Sequence, residues 1–220
     1  IAYRWILKRP RSRDRRALLS ASVVGATGVA LWALSRRAKT LFSLPGAGRR
    51  FTGSFERASL SPNFPVVSWI NDSPEPIPLK DWRLTIEGAV HQPLSLDYIQ
   101  LRHLASNDRR AILDCTGGWF TEQQWYGVPM TAVLALAQPE SGCQSISFES
   151  ITGYTRRFDI DRSGDMLLAT HVAGDILSHG HGFPVRLVIP GERGFQWVKW
   201  LKRIQLNTTS HLLQSPLPLR

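Results

Sequence analysis

Cysteine is scarce in this sequence, where Cys115 and Cys143 are the two among 220 residues. Neither belongs to a CxxC pair and no HxxxH pair accompanies them, so the chain does not offer the four ligands of a structural zinc site. The CxxCH motif that attaches a haem is also missing. A disulfide is the alternative, because oxidising compartments favour pairing. Their settings differ, however, since Cys115 ends an apolar segment and Cys143 lies in a polar turn.

Acidic residues are nearly absent from the first fifty positions, where Asp14 stands against twelve of the 27 Lys and Arg residues. The other 170 residues carry fifteen basic and sixteen acidic side chains, a net charge of −1. Nucleic-acid binding requires a basic surface on the folded part of a protein. The charge distribution therefore argues against a nucleic-acid partner, although the whole chain has a formal net charge of +10.

An uncharged, mildly hydrophobic run covers residues 17–34, ALLSASVVGATGVALWAL. Eighteen residues of helix extend for roughly 27 Å, close to the thickness of the bilayer interior. The preceding Arg15 and Arg16 also fit a twin-arginine export signal, and a buried soluble helix is a further alternative. No small-x-small cleavage site clearly follows, which favours a transmembrane anchor. Residues 1–16 are then a basic cytoplasmic segment, and the domain lies outside the cell membrane, in the periplasm or at the cell exterior.

Five prolines within residues 61–78 exclude a continuous helix or a central strand there. We therefore predict an extended Pro-rich arm over residues 35–80, followed by a folded domain over residues 81–210. Strand-like segments in that domain outnumber helical ones and do not alternate with them, which predicts an α+β fold with mixed, mainly antiparallel sheets. The predicted strands are 82–90, 109–115, 144–150, 154–160, 184–190 and 202–207, and the predicted helices are 95–104, capped by Ser95, and 128–137.

Two positive charges occur in apolar surroundings. Arg186 lies within the strand-like segment PVRLVIP, and Lys199 lies between two tryptophans in WVKWL. A charge in such a place is costly unless it has an anionic partner, and phosphate suits both side chains. A solvated surface is the alternative interpretation. The same part of the chain also contains His179, His181 and Arg193.

Cys115 is followed by Thr116 and two glycines, which let the backbone approach a bulky group. A single thiolate is a soft ligand that suits a metal whose other sulfur ligands come from a cofactor. The alternative is a hydrolase with Cys115 as the nucleophile and His171, His179 or His181 as the base.

Four segments together resemble the molybdopterin-binding domain of the sulfite oxidase superfamily. The resemblance implies the sheet arrangement of that domain and a mononuclear molybdenum centre held by molybdopterin. It also implies that Cys115 is the thiolate on molybdenum, and that His181, Arg186, Lys199 and, on a weaker match, Arg193 hold the pterin and its phosphate. The segments are WRLTIEGAVHQPLSL, LDCTGGWFTEQQWYGVPMTAVL, ITGYTRRFDI and MLLATHVAGDILSHGHGFPVRLVIPGERGFQWVKWLKRIQL, in order between residues 60 and 207.

The arm departs from the superfamily pattern. Sulfite oxidases carry an Arg-Asn-His-type element there, whereas this arm reads LSPNFPVVSW and contains neither Arg nor His. Asn63 is the one residue of the arm that matches the element, and it is a candidate for cofactor binding. This departure disfavours sulfite as the substrate. The chain is more similar to small bacterial members, including the periplasmic methionine-sulfoxide reductase catalytic subunits. Trp119, together with Trp125 and Tyr126, is a candidate for the wall of the substrate pocket, although a plain aromatic core is the favoured interpretation of this group. Tyr154 is a candidate second-sphere residue.

The residues and the resemblance together predict a membrane-anchored oxidoreductase that moves two electrons and an oxygen atom between a small molecule and molybdenum. Reduction of a sulfoxide or N-oxide is the preferred direction, and sulfite-oxidase-like oxidation is the alternative. The catalytic candidates are Cys115, Trp119 and Tyr154. A haem-containing partner or domain is expected to exchange the electrons. The competing class is a binding module that keeps the fold without turnover.

Overall fold

The computed structural model describes residues 12–42, 44, 48–69, 72 and 74–214. The chain divides into two compact units, residues 1–49 and residues 50–220. Most of the predicted basic segment 1–16 lies outside the described residues.

The first unit contains one long helix, α1 (Ser12–Leu41). Its segment Arg15–Leu41 is long and apolar enough to cross a membrane, as a signal sequence near the N-terminus also is. The hydroxyls of Ser22 and Thr27 donate to backbone carbonyls four residues earlier, each at 2.8 Å. Polar groups in a hydrocarbon environment require such internal partners. The helix therefore carries the predicted apolar run 17–34 and extends beyond it.

The second unit is α+β, and its strands and helices are mostly short. Among its described residues the helices are α2 (Tyr98–His103) and α3 (Met130–Ala137). The strands are β1 (Phe55–Glu56), β2 (Leu84–Gly88), β3 (Leu94–Leu96), β4 (Asn107–Asp114), β5 (Trp119–Pro129), β6 (Ser145–Ser150), β7 (Thr155–Asp159), β8 (Leu167–Val172), β9 (Asp175–Ile176), β10 (Arg186–Val188) and β11 (Leu201–Asn207).

The strands form two sheets that are mixed and mainly antiparallel, which confirms the predicted fold class. In the six-stranded sheet, β4 pairs antiparallel with one edge of β5, while β1 and β8 share its other edge. β9 and β10 both pair with β8. The five-stranded sheet has the order β3-β2-β11-β6-β7. Two pairs are parallel, β1 with β5 and β2 with β11, and the others are antiparallel.

The helix predicted for residues 95–104 begins later than expected, and the Ser95 cap is wrong. Ser95 lies in β3, opposite Thr85 of β2. Asp97 caps α2 instead. Its carboxylate accepts from the Gln100 N–H at 2.8 Å, and the Gln100 side chain accepts from the Asp97 N–H at 2.9 Å. This reciprocal capping box satisfies two backbone donors and fixes where the helix begins.

The sequence prediction overlooked β5 and β8, which form the centre of the first sheet. β5 alternates between buried and half-buried residues over Trp119–Pro129. β8 is buried at every position except His171, so both faces of this strand are covered. A strand covered on both faces loses the period-two pattern that identifies a half-buried strand.

An aromatic core packs behind the site that is described next. Trp125 and Trp197 are almost completely buried, and their rings meet edge to face at 5.6 Å. Phe64 of the arm packs on Trp125 in the same manner at 5.9 Å. Both cysteines are thiols, Cys115 buried and Cys143 partly buried, so the disulfide alternative is wrong.

Candidate functional site

A cleft of about 660 Å³, open to solvent, lies in the second unit. Its lining comes from the arm, from the turn after β4, and from residues between 180 and 199. Six of the eight predicted site residues line it, namely Cys115, Trp119, Tyr154, His181, Arg186 and Lys199. Of the other two, Arg193 contacts the backbone of Cys115, and Asn63 is exposed on the arm outside the lining.

Cys115 follows β4 and begins the tight turn into β5. Its N–H donates to the Trp119 carbonyl at 2.8 Å, and Gly118, at φ +83°, donates to the Cys115 carbonyl at 3.2 Å. Glycine adopts this left-handed conformation without strain. The Gly117 N–H donates to Sγ at 3.3 Å. Burial raises the pKa of the thiol, while the Gly117 N–H and the charge of Arg193 oppose that rise.

Arg186 lies at the start of β10 and is 3% exposed. Burial lowers the pKa of its guanidinium to about 9. Nη1 donates to the His181 carbonyl at 3.0 Å and Nη2 to the Trp197 carbonyl at 3.4 Å, while Nε has no hydrogen-bond partner among the described residues. The guanidinium also lies 5.2 Å from the centre of the Trp125 ring. The partners of this buried cation are thus neutral oxygens and aromatic rings.

Lys199 reaches the same cleft from the segment before β11. Its Nζ donates to the Ser68 hydroxyl at 2.8 Å and to the carbonyls of Gly180 at 2.9 Å and Val67 at 3.2 Å. Burial, and then the charge of Arg186, lower the pKa of Lys199 to about 7. The close approach of the chain here requires Gly182, which has φ +108° and leaves 3.1 Å between an added Cβ and the Lys199 Cβ.

His181 uses both ring nitrogens within the protein. Nε2 lies 3.0 Å from the Phe64 carbonyl and Nδ1 lies 3.0 Å from the Ser178 hydroxyl. A carbonyl only accepts, so Nε2 carries the proton and Nδ1 accepts from Ser178. Burial lowers the pKa of His181 to about 4, so the ring is neutral at neutral pH. With the Phe64 ring stacked 3.8 Å away, His181 attaches the arm to the site.

Tyr154 and Trp119 complete the wall near Cys115. The Tyr154 hydroxyl donates to the Phe195 carbonyl, and burial raises the pKa of Tyr154 to about 12. Trp119 is buried and lies 6.4 Å from the Phe64 ring, centre to centre. A neutral hydroxyl and an apolar surface therefore face the part of the cleft beside the thiol.

The sequence analysis missed two groups of residues at the site. One is the backbone of the arm, because the carbonyls of Phe64 and Val67 accept from His181 and Lys199. The other is Asp114, a buried carboxylate beside Cys115. Hydrogen bonds from Ser54, Thr52 and Arg50, together with the charge of Arg193, outweigh burial and lower the pKa of this carboxyl. An acidic residue in the apolar strand end LDC is the signal that indicates it.

The family model of the oxidoreductase molybdopterin binding domain matches residues 72–213. Among curated proteins, the chain is 30% identical over 163 residues to the NADH nitrate reductase of Solanum lycopersicum, covering 58% of this chain and 18% of that protein. It is 32% identical over 145 residues to the protein-methionine-sulfoxide reductase catalytic subunit of Gluconobacter oxydans, covering 57% of this chain and 46% of the relative.

Among solved structures, the sulfane dehydrogenase SoxCD of Paracoccus pantotrophus matches with a TM-score of 0.59 and 26% identity. The match covers 61% of this chain and 40% of the SoxCD chain. The chain therefore spans less than half the length of each of these three relatives.

Proposed function

Because the chain belongs to the oxidoreductase molybdopterin binding domain family, we propose that residues 81–210 form a catalytic domain that performs oxygen-atom transfer with Mo-molybdopterin. The proposed reaction is the reduction of a sulfoxide. One observation carries the proposal, the meeting of a buried thiol with one buried and one half-buried cation in a single cleft. Cys115, Arg186 and Lys199 are the residues concerned.

The residues in the cleft fit an anionic cofactor. Within the part of the chain that the structure describes, Arg186 and Lys199 donate to carbonyls and one hydroxyl, and Arg186 Nε has no hydrogen-bond partner. A buried cation is costly unless an anion compensates it. A phosphate accepts several hydrogen bonds and suits both guanidinium and ammonium groups. These two side chains would therefore hold the phosphate and pterin, and Cys115 would hold the metal.

When bound, molybdopterin supplies a molybdenum ion that exchanges an oxygen atom and two electrons with the substrate. Cys115 would bind the metal as a thiolate, because a coordinated cation displaces the thiol proton. Tyr154, with a pKa of about 12, keeps its proton at neutral pH and donates it to the Phe195 carbonyl, so it lines the cleft as a neutral side chain. Trp119 and Phe64 exclude water from the same wall.

The apolar wall favours a neutral substrate over an oxyanion. Residues 61–69 of the arm contain no Arg, Lys or His, whereas recognition of an oxyanion commonly uses such groups. Reduction of a sulfoxide consumes two electrons and two protons, breaks the S–O bond and releases a thioether and water. The relative from Gluconobacter oxydans, named for protein-methionine-sulfoxide reduction, supports the same direction.

The test compares Cys115→Ser with Cys143→Ser in the full chain, produced in a host that makes the molybdenum cofactor. Molybdenum and pterin content are measured, together with sulfoxide reduction by a reduced viologen dye. We expect Cys143→Ser to match the wild type. We expect Cys115→Ser to lose at least about a hundredfold in activity or metal affinity, since even partners of metal ligands contribute tenfold to a hundredfold.

Three results would contradict parts of this proposal. Full metal content and activity in Cys115→Ser would remove the thiolate from its role. A folded wild type without cofactor would favour the binding-module alternative. Oxidation of sulfite without reduction of sulfoxides would reverse the direction of the reaction.

The proposed location is the cell membrane, with α1 as an anchor and the second unit outside the cytoplasm. The apolar segment Arg15–Leu41 supports an anchor, and the concentration of basic residues before it supports a cytoplasmic N-terminus. Electrons would then come from a haem-containing membrane partner, because the proposed site lies in a domain tethered at the bilayer. The dye in the preceding assay replaces that partner.

A further inference from the structure

Asp114, the buried carboxylate next to Cys115, takes its side-chain hydrogen bonds from residues that precede the matched family region. Oδ2 accepts from Thr52 Oγ1 at 2.8 Å and from Arg50 Nε at 3.0 Å, and Oδ1 accepts from Ser54 Oγ at 2.7 Å. The family match begins later, at residue 72. We call residues 50–57 the clamp segment.

The clamp segment holds the cysteine turn from both ends. Its first half binds Asp114, the residue before Cys115. Its second half pairs with the chain after the turn, where the Phe55 N–H donates to the Gly118 carbonyl at 3.1 Å and the Arg57 N–H to the Phe120 carbonyl at 2.8 Å. The four-residue turn therefore has both of its ends fixed by one segment.

Arg193 links the carboxylate to the cysteine backbone. Its Nη2 lies 3.3 Å from the Cys115 carbonyl, to which it donates, and 3.8 Å from Asp114 Oδ1. Neighbouring residues at the end of a strand face opposite sides. Asp114 accordingly faces the clamp segment while Cys115 faces the cleft. The carboxylate therefore acts on the position of Sγ through the backbone and Arg193, while burial, and separately the charge of this carboxylate, raise the pKa of the thiol.

We propose that Asp114 and the clamp segment position Cys115 for its role as a metal ligand, which extends the functional unit to residue 50. The identity of the ligand rests on the proposed function. The restraint on the thiol does not, because it consists of hydrogen bonds within the chain itself. Asp114 is a positioning residue in this scheme, since it touches neither substrate nor metal.

The experiment measures how fast iodoacetamide alkylates each cysteine in the cofactor-free full chain. The limiting rate at high pH is used, where both thiols are ionised, so that a change in thiol pKa does not enter. Asp114→Asn keeps the shape of the side chain and removes its charge. Thr52→Val is a milder change, because it removes one of the hydrogen-bond donors to Asp114. Arg110→Gln is the matched control, because it breaks an exposed ion pair with Glu122 on the same β4–β5 hairpin.

We expect the rate at Cys115, relative to Cys143, to rise about tenfold in Asp114→Asn, the scale of one charge-assisted hydrogen bond. The rise should be smaller in Thr52→Val and absent in Arg110→Gln. In the loaded enzyme, the EPR signal of molybdenum should change shape in Asp114→Asn and not in Arg110→Gln, because that signal reports the orientation of the sulfur ligand.

An unchanged ratio in Asp114→Asn overturns the positioning role. Equal acceleration at both cysteines overturns it as well, because Asp114 would then act through general stability. A wild type that takes up no molybdenum refutes the proposed function independently of the ratio, so the two failures are distinguishable.

Discussion

At the scale of single residues, Arg186 and Lys199 are cations that the fold surrounds with apolar side chains and neutral oxygens. Burial lowers the pKa of Arg186 to about 9 and that of Lys199 to about 7. Both shifts mean that the folded protein holds the charged form less favourably than the unfolded chain does. A phosphate bound as proposed would reverse this preference and relieve the electrostatic cost of the two cations.

Lys199→Met tests that cost through the pH dependence of stability. The pKa of Lys199 is about 7 in the folded protein and 10.5 in its ordinary state, so the unfolded chain binds more protons between these values. The free energy of unfolding of the wild type therefore rises with pH between these values. A methionine does not titrate, so the variant lacks this contribution.

The measurement is the Tm of the cofactor-free variant minus that of the wild type, at pH 7 and pH 10. We expect this difference to fall with rising pH by a few degrees, about 2–4 °C for each kcal/mol in a protein of this size. Loss of the Lys199 hydrogen bonds shifts the Tm difference equally at pH 7 and pH 10. The change in this difference with pH is therefore the decisive result. A flat or rising difference would contradict the shifted pKa.

The sequence indicates some of these residues better than others. Arg186 and Lys199 stand out because a charge within an apolar segment is conspicuous in the sequence alone. The bonding of His181 does not, because its partner Phe64 lies 117 residues earlier and the choice of that carbonyl depends on how the arm folds. Asn63 was predicted as a site residue, but its side chain is exposed outside the cleft, while the next residue, Phe64, lines the cleft.

At the scale of elements, the cysteine is presented by a strand, a glycine turn and a second strand. The alternating pattern of β2 and the apolar approach to Cys115 are local properties, and the strands predicted at 82–90 and 109–115 are confirmed by Leu84–Gly88 and Asn107–Asp114. The sequence did not predict β8 because both faces of this strand are buried, which removes the alternation of apolar and polar residues. The cap of α2 was misplaced because Ser95 and Asp97 both suit a cap, and β3 pairing decides between them.

Asp97→Ala and Ser95→Ala form a pair of variants that tests the corrected start of α2. Asp97→Ala should lower the free energy of unfolding by about 0.5–2 kcal/mol, the range for loss of a capping side chain. Ser95→Ala should change it by less than about 0.5 kcal/mol, as for an ordinary surface substitution. Urea denaturation followed by circular dichroism measures both. A larger loss in Ser95→Ala than in Asp97→Ala would restore the original prediction.

At the scale of the whole molecule, charge and fold are divided between two units. The positive charge is concentrated in the first fifty residues, whereas the second unit is close to neutral. Composition alone predicts this division, because it needs only a count of charges along the chain. Composition does not predict the boundary at residue 50, because this boundary depends on the hydrogen bonds of Arg50 and Thr52 to Asp114.

A chain shortened to residues 50–220 should fold independently and leave the membrane fraction. The second unit keeps its core and its clamp segment in this chain, so we expect a single cooperative transition with a Tm within about 2 °C of the full chain. Thermal unfolding measures the first property, and centrifugation of lysed cells with the full chain as control measures the second. Retention of the shortened chain by membranes would contradict an anchor confined to α1.

The arm closes the cleft through contacts that are distant along the chain. Phe64 bonds to His181 across 117 residues, and Val67 bonds to Lys199 across 132. Contacts between such distant residues form late in folding, because each carries the entropy of closing a long loop. During synthesis, the arm residues Phe64 and Val67 cannot form these contacts until residue 199 has left the ribosome. Completion of the site is therefore tied to completion of the domain.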